Sequence, residues 1–393
     1  MRTKARAATP EFPEPWAPSL DERVRRVSAT RAHRVAYLYE VPDTSTFRYR
    51  VFNMVEALGL EAQDRSISAT WFTRAELPIL ERLIGDINTL VICRTRYTPR
   101  LDSLVTRARA AGCRVLFDVD DLIFDTRYVS LVLETLDRHP GEEMLDEWFA
   151  SMSRIGALLR ICDGAISTND FLSARIEEFA QLPTWVVPNF LNDLQLERAD
   201  EIRRSRHAAA TANGVASIGY FSGTPTHNRD FELVSTALAR VMTRHTDVRL
   251  RIVGFLDIGP ALRGLGDRID ILPLADFLTL ETLIGSTGLN IVPLQSNVFS
   301  NSKSELKYFE AAIVETPTLA TPTYSFRLAI EDGVNGYLVD AYDWEDRIEQ
   351  AVRGDLDLAG VAERGLEHTL RWYTPAAQVS AIRDAVLGTR VRG

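Results

Sequence analysis

One short polar segment carries several side chains suited to binding a phosphorylated ligand. It reads NSKSE over residues 301–305, and the pattern predicts a helix over 304–314. Backbone N–H groups at a helix start attract anions, and a lysine adds a full positive charge, so Ser302, Lys303 and Ser304 are candidate ligands for a diphosphate. Ser302 and Glu305 also have the spacing of a capping box, worth about 1 kcal/mol to a helix. Both interpretations can hold at once.

Glu310 lies further along the same predicted helix, and two more elements follow it in a fixed order. A β run at Thr318–Ala320 comes directly after Pro317, and a DGVNG turn over 332–336 leads into Tyr337–Val339. This order resembles the donor half of glycosyltransferases with the two-Rossmann GT-B fold, especially the large retaining family 4. The resemblance implies that Glu310 accepts hydrogen bonds from the ribose hydroxyls of the nucleotide, since a carboxylate offers two acceptor oxygens. Taken alone, Glu310 would be a solvated helix residue.

The chain departs from the family pattern eight positions before Glu310. The family usually has another glutamate there, which contacts the donor sugar, whereas this chain has Ser302. Glu305 is the nearest acid, but its spacing differs. We therefore expect altered sugar recognition. Leu274, at a predicted strand end, is expected to border the nucleotide base.

A second donor-site candidate is the segment YFSGTPTHNRDF over 220–231, which runs from a predicted strand into a predicted helix. Family members have a glycine after this strand and a basic residue about six positions later that pairs with the donor phosphates. Gly223 and Arg229 fit that spacing, and the fork of N–H donors on arginine suits phosphate. His227 is a further candidate. The alternative is a solvated Arg229 beside Asp230 acting as a helix N-cap.

The first half of the chain offers acids and arginines at predicted strand ends. FDVDDLIFD over 117–125 places Asp120 and Asp121 where the family often has His-Asp. Acids at the carboxyl end of a parallel strand face the ligand crevice, where they can bind sugar hydroxyls or Mg²⁺, although a solvated acidic turn explains the pattern equally well. Arg48 and Arg50 follow the first strand. They are candidates for acceptor or phosphate binding, or simply arginines on a helix surface.

Short β-branched runs alternate with amphipathic stretches from Arg34 onward, which is typical of parallel βαβ units. The predicted strands are Val35–Tyr39, Thr89–Arg94, Arg114–Val119, Gly164–Ser167, Thr184–Val187, Ser217–Phe221, Arg249–Val253, Ile269–Leu272, Leu289–Val292, Thr318–Ala320 and Tyr337–Val339. The predicted fold class is α/β, with two Rossmann-like doubly wound parallel-sheet domains and a cleft between them. The expected divisions are a disordered tail (1–30), an acceptor domain (31–192), a linker (193–215), a donor domain (216–373) and a C-terminal helix crossing back (374–393).

The net charge, the cysteines and the distribution of apolar residues argue against several classes of function. A net charge of −9 argues against a nucleic-acid partner, because proteins that bind nucleic acids generally carry a basic face. The three cysteines are odd in number and lie among apolar residues, as expected of free thiols in a reducing compartment. No apolar run predicts a membrane span or a signal peptide, and no Cys or His pairing predicts a metal site.

These observations lead to one main hypothesis and two alternatives. The main hypothesis is a cytoplasmic glycosyltransferase, with possible peripheral contact at the inner face of the membrane. It would move a sugar from a nucleotide-diphosphate donor to an acceptor hydroxyl. The resemblance implies that the anomeric configuration is retained and that no cofactor is needed. Its acceptor would be a glycan or a lipid-linked glycan, in polysaccharide or glycolipid synthesis. A non-catalytic scaffold with the same fold is the first alternative, and a nucleotide-sugar epimerase is the second.

Overall fold

The computed structural model describes residues 12, 14–16, 18–28, 33–43, 45–60, 66–135, 141–209, 215–222, 228–254, 256 and 258–389. Within these residues, two parallel sheets follow one another along the chain. No helix among the described residues has both the length and the apolar character needed to cross a bilayer.

The first sheet is built from six parallel strands in the order β2-β1-β3-β4-β5-β6. Its strands are β1 His33–Tyr39, β2 Ile67–Thr73, β3 Thr89–Cys93, β4 Arg114–Asp118, β5 Gly164–Ser167 and β6 Thr184–Val186. The helices that flank this sheet are α1 Leu20–Ser28, α2 Asn53–Leu60, α3 Leu77–Leu83, α4 Pro99–Ala110, α5 Val129–Thr135, α6 Glu142–Arg160 and α7 Asp170–Ala180, and α8 Asp193–Ala209 then leads to the second sheet. β3 is buried along its whole length, which explains its continuous apolar sequence.

The second sheet has the order β12-β11-β10-β7-β8-β9, again with parallel pairing. Its strands are β7 Ser217–Ser222, β8 Arg249–Gly254, β9 Ile269–Leu272, β10 Leu289–Val292, β11 Thr318–Ala320 and β12 Tyr337–Leu338. The helices are α9 Asn228–Arg244, α10 Gly259–Leu262, α11 Phe277–Gly285, α12 Val298–Asn301, α13 Leu306–Ala312, α14 Tyr324–Ala329, α15 Trp344–Arg353, α16 Leu358–Trp372 and α17 Pro375–Leu387. The two sheets confirm the predicted α/β class with two Rossmann-like domains.

Each sheet has one point where the strand order reverses, and such switch points are where ligands bind on open α/β sheets. In the first sheet the reversal lies between β1 and β3, so the segments after Tyr39 and Cys93 border the crevice. In the second sheet it lies between β7 and β10, so the segments after Ser222 and Val292 do so. The candidate residues that follow these strands are therefore expected to lie at the edge of each sheet where ligands bind.

The two ends of the described chain connect the domains. α17 returns to the first domain, where the Val386 carbonyl accepts a bond from Thr89 at 2.8 Å and the Ala385 carbonyl accepts one from Arg114 at 2.7 Å. Near the N-terminus, Trp16 is 5% exposed and stacks on Phe277 of the second domain at a centroid distance of 6.1 Å.

Three features differ from the sequence predictions. Residues 1–30 were expected to be disordered, but α1 forms, anchored by Arg23 bonds to Glu76 and to the Trp71 carbonyl. The strand β2, which contains Trp71, was not predicted. The expected linker is largely the helix α8, whose Leu196, Ala199 and Ile202 belong to an apolar cluster that includes residues of the second domain.

Candidate active site

Glu310 lies on α13 and faces the first domain. It is 5% exposed, and both hydrogen bonds that it accepts end on Oε1. One comes from Arg48 Nη2 at 3.1 Å, and the other comes from the Tyr49 hydroxyl. Oε2 accepts no hydrogen bond from any described residue. Glu310 is therefore a buried carboxylate with one oxygen engaged and one with acceptor capacity left.

Arg48 brings an incompletely bonded cation into this region. Its side chain is 5% exposed, and its Nε and Nη1 have no hydrogen-bond partner among the described residues. The guanidinium lies 4.2 Å from the centre of the Tyr49 ring and 4.7 Å from that of Phe277, which partly stabilises the charge. A buried N–H without a partner costs about 1–3 kcal/mol. The region thus has unused donors beside the unused oxygen of Glu310.

Glu281 adds a second carboxyl group near Glu310. Burial raises its pKa well above the usual value, and the charge of Glu310 raises it further. Gln195 donates to its Oε1 at 2.9 Å, whereas Oε2 is buried without a partner among the described residues. Burial and the charge of Glu310 thus both favour the protonated form of Glu281.

A second cluster joins the two domains at the carboxyl ends of their sheets. Arg94 Nη1 donates to Asp120 at 3.0 Å, to Asp121 at 3.3 Å and to the hydroxyl of Thr46 at 3.1 Å. Lys303, from the polar segment of the second domain, lies 3.8 Å from Asp121. Three of the candidate catalytic residues, Asp120, Asp121 and Lys303, are thus brought together across the cleft.

The polar segment 301–305 is held differently from the capping-box prediction. Ser302 is fully buried and donates its hydroxyl to the Val298 carbonyl at 2.9 Å, at the end of α12. Glu305 instead accepts a bond from Tyr373 at 2.9 Å, and burial raises its pKa to about 7. α13 begins at Leu306 instead of Ser304, so the predicted capping box does not form.

Asn169 of the first domain fixes this segment from the other side. Its Nδ2 donates to the carbonyls of Ser302 at 3.2 Å and Lys303 at 3.4 Å. Ser325 donates to the Lys303 carbonyl at 2.5 Å. Ser304 lies half-buried in the turn between α12 and α13. The segment is therefore a rigid loop that presents the Lys303 side chain to the cleft.

The other donor candidates lie around the β7 switch point. Gly223 and His227 fall outside the described residues. Arg229, in the first turn of α9, is half-exposed and has no ion pair or hydrogen bond with any described residue. Asp230 does not serve as a simple N-cap, because it is buried and accepts the backbone N–H of Gln295 at 3.0 Å. Leu274 is half-buried in the segment that follows β9.

Arg50 has a structural role instead of the predicted phosphate contact. It is fully buried and forms two bonds with Asp118, at 2.8 and 2.9 Å. Its Nη1 also donates to the Val187 carbonyl at 2.7 Å and to Asn189 at 3.2 Å. All its nitrogens are engaged within the first domain, so Arg50 ties the ends of β4 and β6 to the start of α2.

Three residues of the site, Tyr49, Arg94 and Glu281, were not predicted from the sequence, and Asn169 was given no role there. Arg94 carries a signal visible only in the structure, a φ of +45°, which a non-glycine residue adopts at a cost of about 1–3 kcal/mol. Such strain is often found at functional sites. Its position directly after β3, at the switch point, was the only available hint.

Among the described residues, no group of three His, Cys, Asp or Glu side chains is arranged to hold a metal ion. In the acidic segment, Asp120 and Asp121 are bonded to Arg94, and Asp125 accepts from Arg127. The acids at this strand end therefore have cationic partners.

Comparison with known proteins identifies the second domain. Residues 216–355 match the family model described as Glycosyl transferases group 1. A comparison with curated protein sequences finds no significant match. The matched residues include β7, the loop with Lys303, and Glu310.

Solved structures share the whole fold at low sequence identity. HepE of Anabaena, solved with UDP and glucose, is 13% identical with a TM-score of 0.59, covering 91% of this chain and 100% of that one. A glycosyltransferase of Rickettsia africae is 11% identical with a TM-score of 0.59, covering 92% and 100%. Sucrose-phosphate synthase of Thermosynechococcus elongatus is 14% identical with a TM-score of 0.56, covering 91% and 98%. The chain therefore shares the two-domain GT-B fold of these proteins, and its residues 216–355 match the group 1 glycosyl transferase family.

Proposed function

We propose that this chain transfers a sugar from a nucleotide-diphosphate donor to an acceptor hydroxyl, with retention of anomeric configuration. The observation that carries the proposal is that Lys303 lies 3.8 Å from Asp121, which also accepts a hydrogen bond from Arg94, at the carboxyl ends of both sheets. A cation from the donor domain and acids from the acceptor domain converge there. Transfer between two bound substrates requires such a convergence.

The nucleotide is held in this proposal by Glu310. Its Oε2 accepts a bond from a ribose hydroxyl, while Arg48 and Tyr49 keep Oε1 fixed. Arg48 and Tyr49 are then positioning residues for the carboxylate. The unpartnered Nε and Nη1 of Arg48 gain acceptors when an oxygen-rich ligand enters. Support comes from HepE of Anabaena, which was solved with UDP and with UDP-glucose. UDP is accordingly the first nucleotide to test.

Stabilisation of the leaving diphosphate falls to Arg229 and Lys303. As the glycosidic bond breaks, negative charge grows on the phosphate oxygen, and fixed cations lower the energy of that state. Arg229 has no partner among the described residues, so it reaches a phosphate without breaking an ion pair. Lys303 is held by its backbone and by Asp121 at 3.8 Å, a long contact that a phosphate can replace. Gly223, His227 and Leu274 complete the proposed donor site.

The acceptor side is assigned to Asp120 and Asp121. Arg94 and Thr46 fix the Asp120 carboxylate, which leaves Asp121 closer to Lys303 and to the proposed donor phosphates. No protein nucleophile is needed, because the departing phosphate oxygen takes the proton of the acceptor hydroxyl. We also propose that the acceptor is a glycan or lipid-linked glycan of polysaccharide or glycolipid synthesis, and that transfer occurs in the cytoplasm, at the inner membrane face when the acceptor is lipid-linked. The buried free thiols Cys93, Cys113 and Cys162 suit a reducing compartment.

The test is donor binding followed by donor turnover. UDP-, GDP- and dTDP-sugars are added to the full chain, and thermal unfolding is followed. A donor at 100 times its Kd adds about 2.7 kcal/mol to stability. Release of the nucleoside diphosphate from the best donor is then measured for Arg229→Gln and Lys303→Gln. Arg240→Gln is the matched control, because Arg240 lies near the C-terminal end of α9 and pairs with Glu345 at the surface. We expect the site variants to lose 100-fold or more, on the order of one lost charge-stabilising donor, and the control to keep full activity.

A scaffold without catalysis is the second candidate, and one observation favours it. Ser302, at the position where related enzymes have an acid for the donor sugar, is fully buried and bonded to Val298. No side chain from that position therefore reaches the sugar. Nucleotide binding without turnover of any donor would favour the scaffold, and turnover that depends on Lys303 would exclude it.

A further inference from the structure

A pocket at the switch point of the first sheet has no role in the donor site described above. Its volume is about 210 Å³, and it is lined by the segments after β1, β3 and β4 and by one face of α6. At about 30 Å³ per water, it holds roughly seven waters, which is comparable with a single sugar ring. Arg94 belongs both to its wall and to the cluster with Asp120 and Asp121, so the pocket adjoins the proposed reaction centre.

The charge balance of the pocket wall is positive. Glu40 is paired with Arg74 at 3.1 Å, and Arg94 is paired with the two aspartates. Arg96 is exposed, lines the pocket, and forms no ion pair with any described residue. The unpaired charge in the pocket is therefore the guanidinium of Arg96, whose fork of donors suits carboxylate or phosphate.

Another part of the pocket wall is apolar and contains an indole. Trp148, Met152 and Ile155 lie on one face of α6, and Ile123 faces them from the segment after β4. Trp148 is half-buried, so one part of its ring remains accessible. An exposed indole face packs well against the C–H face of a pyranose ring, and its N–H remains free to bond a hydroxyl. A pocket with an indole on one side and a lone arginine on another matches a charged sugar better than a neutral one.

We propose that this pocket binds the acceptor, and that the acceptor is a glycan whose reacting sugar or its neighbour carries an anionic group, a carboxylate or a phosphate. Arg96 binds the anion, Trp148 packs against the ring, and the acceptor hydroxyl points past Arg94 toward Lys303. This inference rests on the proposed function, since it names the substrate class of the acceptor half of the same site. Arg96 and Trp148 become specificity-determining residues in this arrangement.

The experiment measures binding of simple probes to the full chain by saturation-transfer NMR and titration. The probes are glucuronic acid for the carboxylate, glucose 6-phosphate for the phosphate, and methyl glucoside as the neutral counterpart. The variants are Arg96→Gln and Trp148→Ala. Arg82→Gln is the matched control, because Arg82 is an exposed arginine on α3 that lies outside the pocket and has no ion pair with any described residue. UDP is titrated into every sample.

We expect at least one anionic probe to bind tenfold or more tightly than methyl glucoside, with an affinity that falls as salt is added. Arg96→Gln should remove this preference, Trp148→Ala should weaken both charged and neutral probes, and Arg82→Gln should behave as the parent protein. The relative affinities of the two anionic probes distinguish carboxylate from phosphate. Equal binding of charged and neutral probes, no binding of either anion, or a preference that survives in Arg96→Gln would overturn the proposal. If UDP still binds in those cases, the proposed function stands and only the acceptor class is wrong.

Discussion

Glu305→Gln is expected to change how the stability of the protein depends on pH. Burial raises the pKa of Glu305 to about 7, whereas the side chain in the unfolded chain titrates near 4.5. Because the folded protein holds the proton more tightly, the stabilising contribution of this group is full below pH 4.5 and is lost as the pH rises to 7. The interval of about 2.5 pH units, at 1.36 kcal/mol per unit, corresponds to about 3 kcal/mol.

The assay is chemical denaturation of the parent protein and of Glu305→Gln at intervals from pH 4.5 to 8.5. The glutamine is neutral at every pH and can still accept the bond from Tyr373. The difference in unfolding free energy between the two proteins cancels the contributions of other titrating groups, such as Asp118, whose pKa burial raises to about 6. The parent protein should lose about 3 kcal/mol relative to the variant between pH 4.5 and 7.5.

A flat difference across this range would refute the reasoning, because it would mean that Glu305 has an ordinary pKa and is solvated. A difference of opposite sign would mean that Glu305 is held ionised. Either result would also change the description of the loop that carries Lys303, since Glu305 and Tyr373 fix the end of that loop.

Three further experiments test the packing around the site. In a double-mutant cycle measured by denaturation, Glu310→Gln alone should lower the unfolding free energy by about 3–5 kcal/mol, because it leaves the Arg48 charge buried without a partner, and adding Arg48→Met should recover most of that loss. Additive losses would show that the pair does not interact. Asp118→Asn should cost about 3–5 kcal/mol by leaving the fully buried Arg50 without its carboxylate, and a loss under 1 kcal/mol would contradict the buried pair. Trp16→Ala should lower the unfolding free energy by about 3 kcal/mol through lost aromatic packing, whereas unchanged stability would mean that Trp16 is not buried against Phe277.

Much of the fold could be predicted from patterns that depend on local sequence. Gly164–Ser167, Leu289–Val292 and Thr318–Ala320 form strands with the predicted bounds, because short apolar runs in the interior of a parallel sheet are buried on both faces and are bounded by polar turns. The edge strand Ile269–Leu272 is only partly buried but also has its predicted bounds. β2 was missed because its first three residues are only half-buried and its sequence, ISATWFT, contains no continuous apolar run.

The site was harder to predict because it depends on contacts between residues far apart in the chain. Nothing near Arg48 in sequence indicates that it bonds Glu310, since the two are 262 positions apart. Arg50, two residues later, has the same side chain but bonds Asp118 instead, because residues two positions apart on the helical turn Arg48–Phe52 point to different sides. Spacing motifs located the Lys303 loop, whereas the partners that hold it could not be inferred from spacing.

Glu310 is the residue that we propose binds the ribose of the nucleotide donor. The most direct test compares the affinity of UDP with that of 2′,3′-dideoxy-UDP for the parent protein and for Glu310→Gln by calorimetric titration. If a hydroxyl bonds the carboxylate, its loss should cost about 1.5–3 kcal/mol, or roughly 10- to 150-fold in affinity. We expect this difference in the parent protein and a much smaller one in the variant. Equal affinity of the parent protein for both nucleotides, or no binding of UDP at all, would contradict the assignment of Glu310.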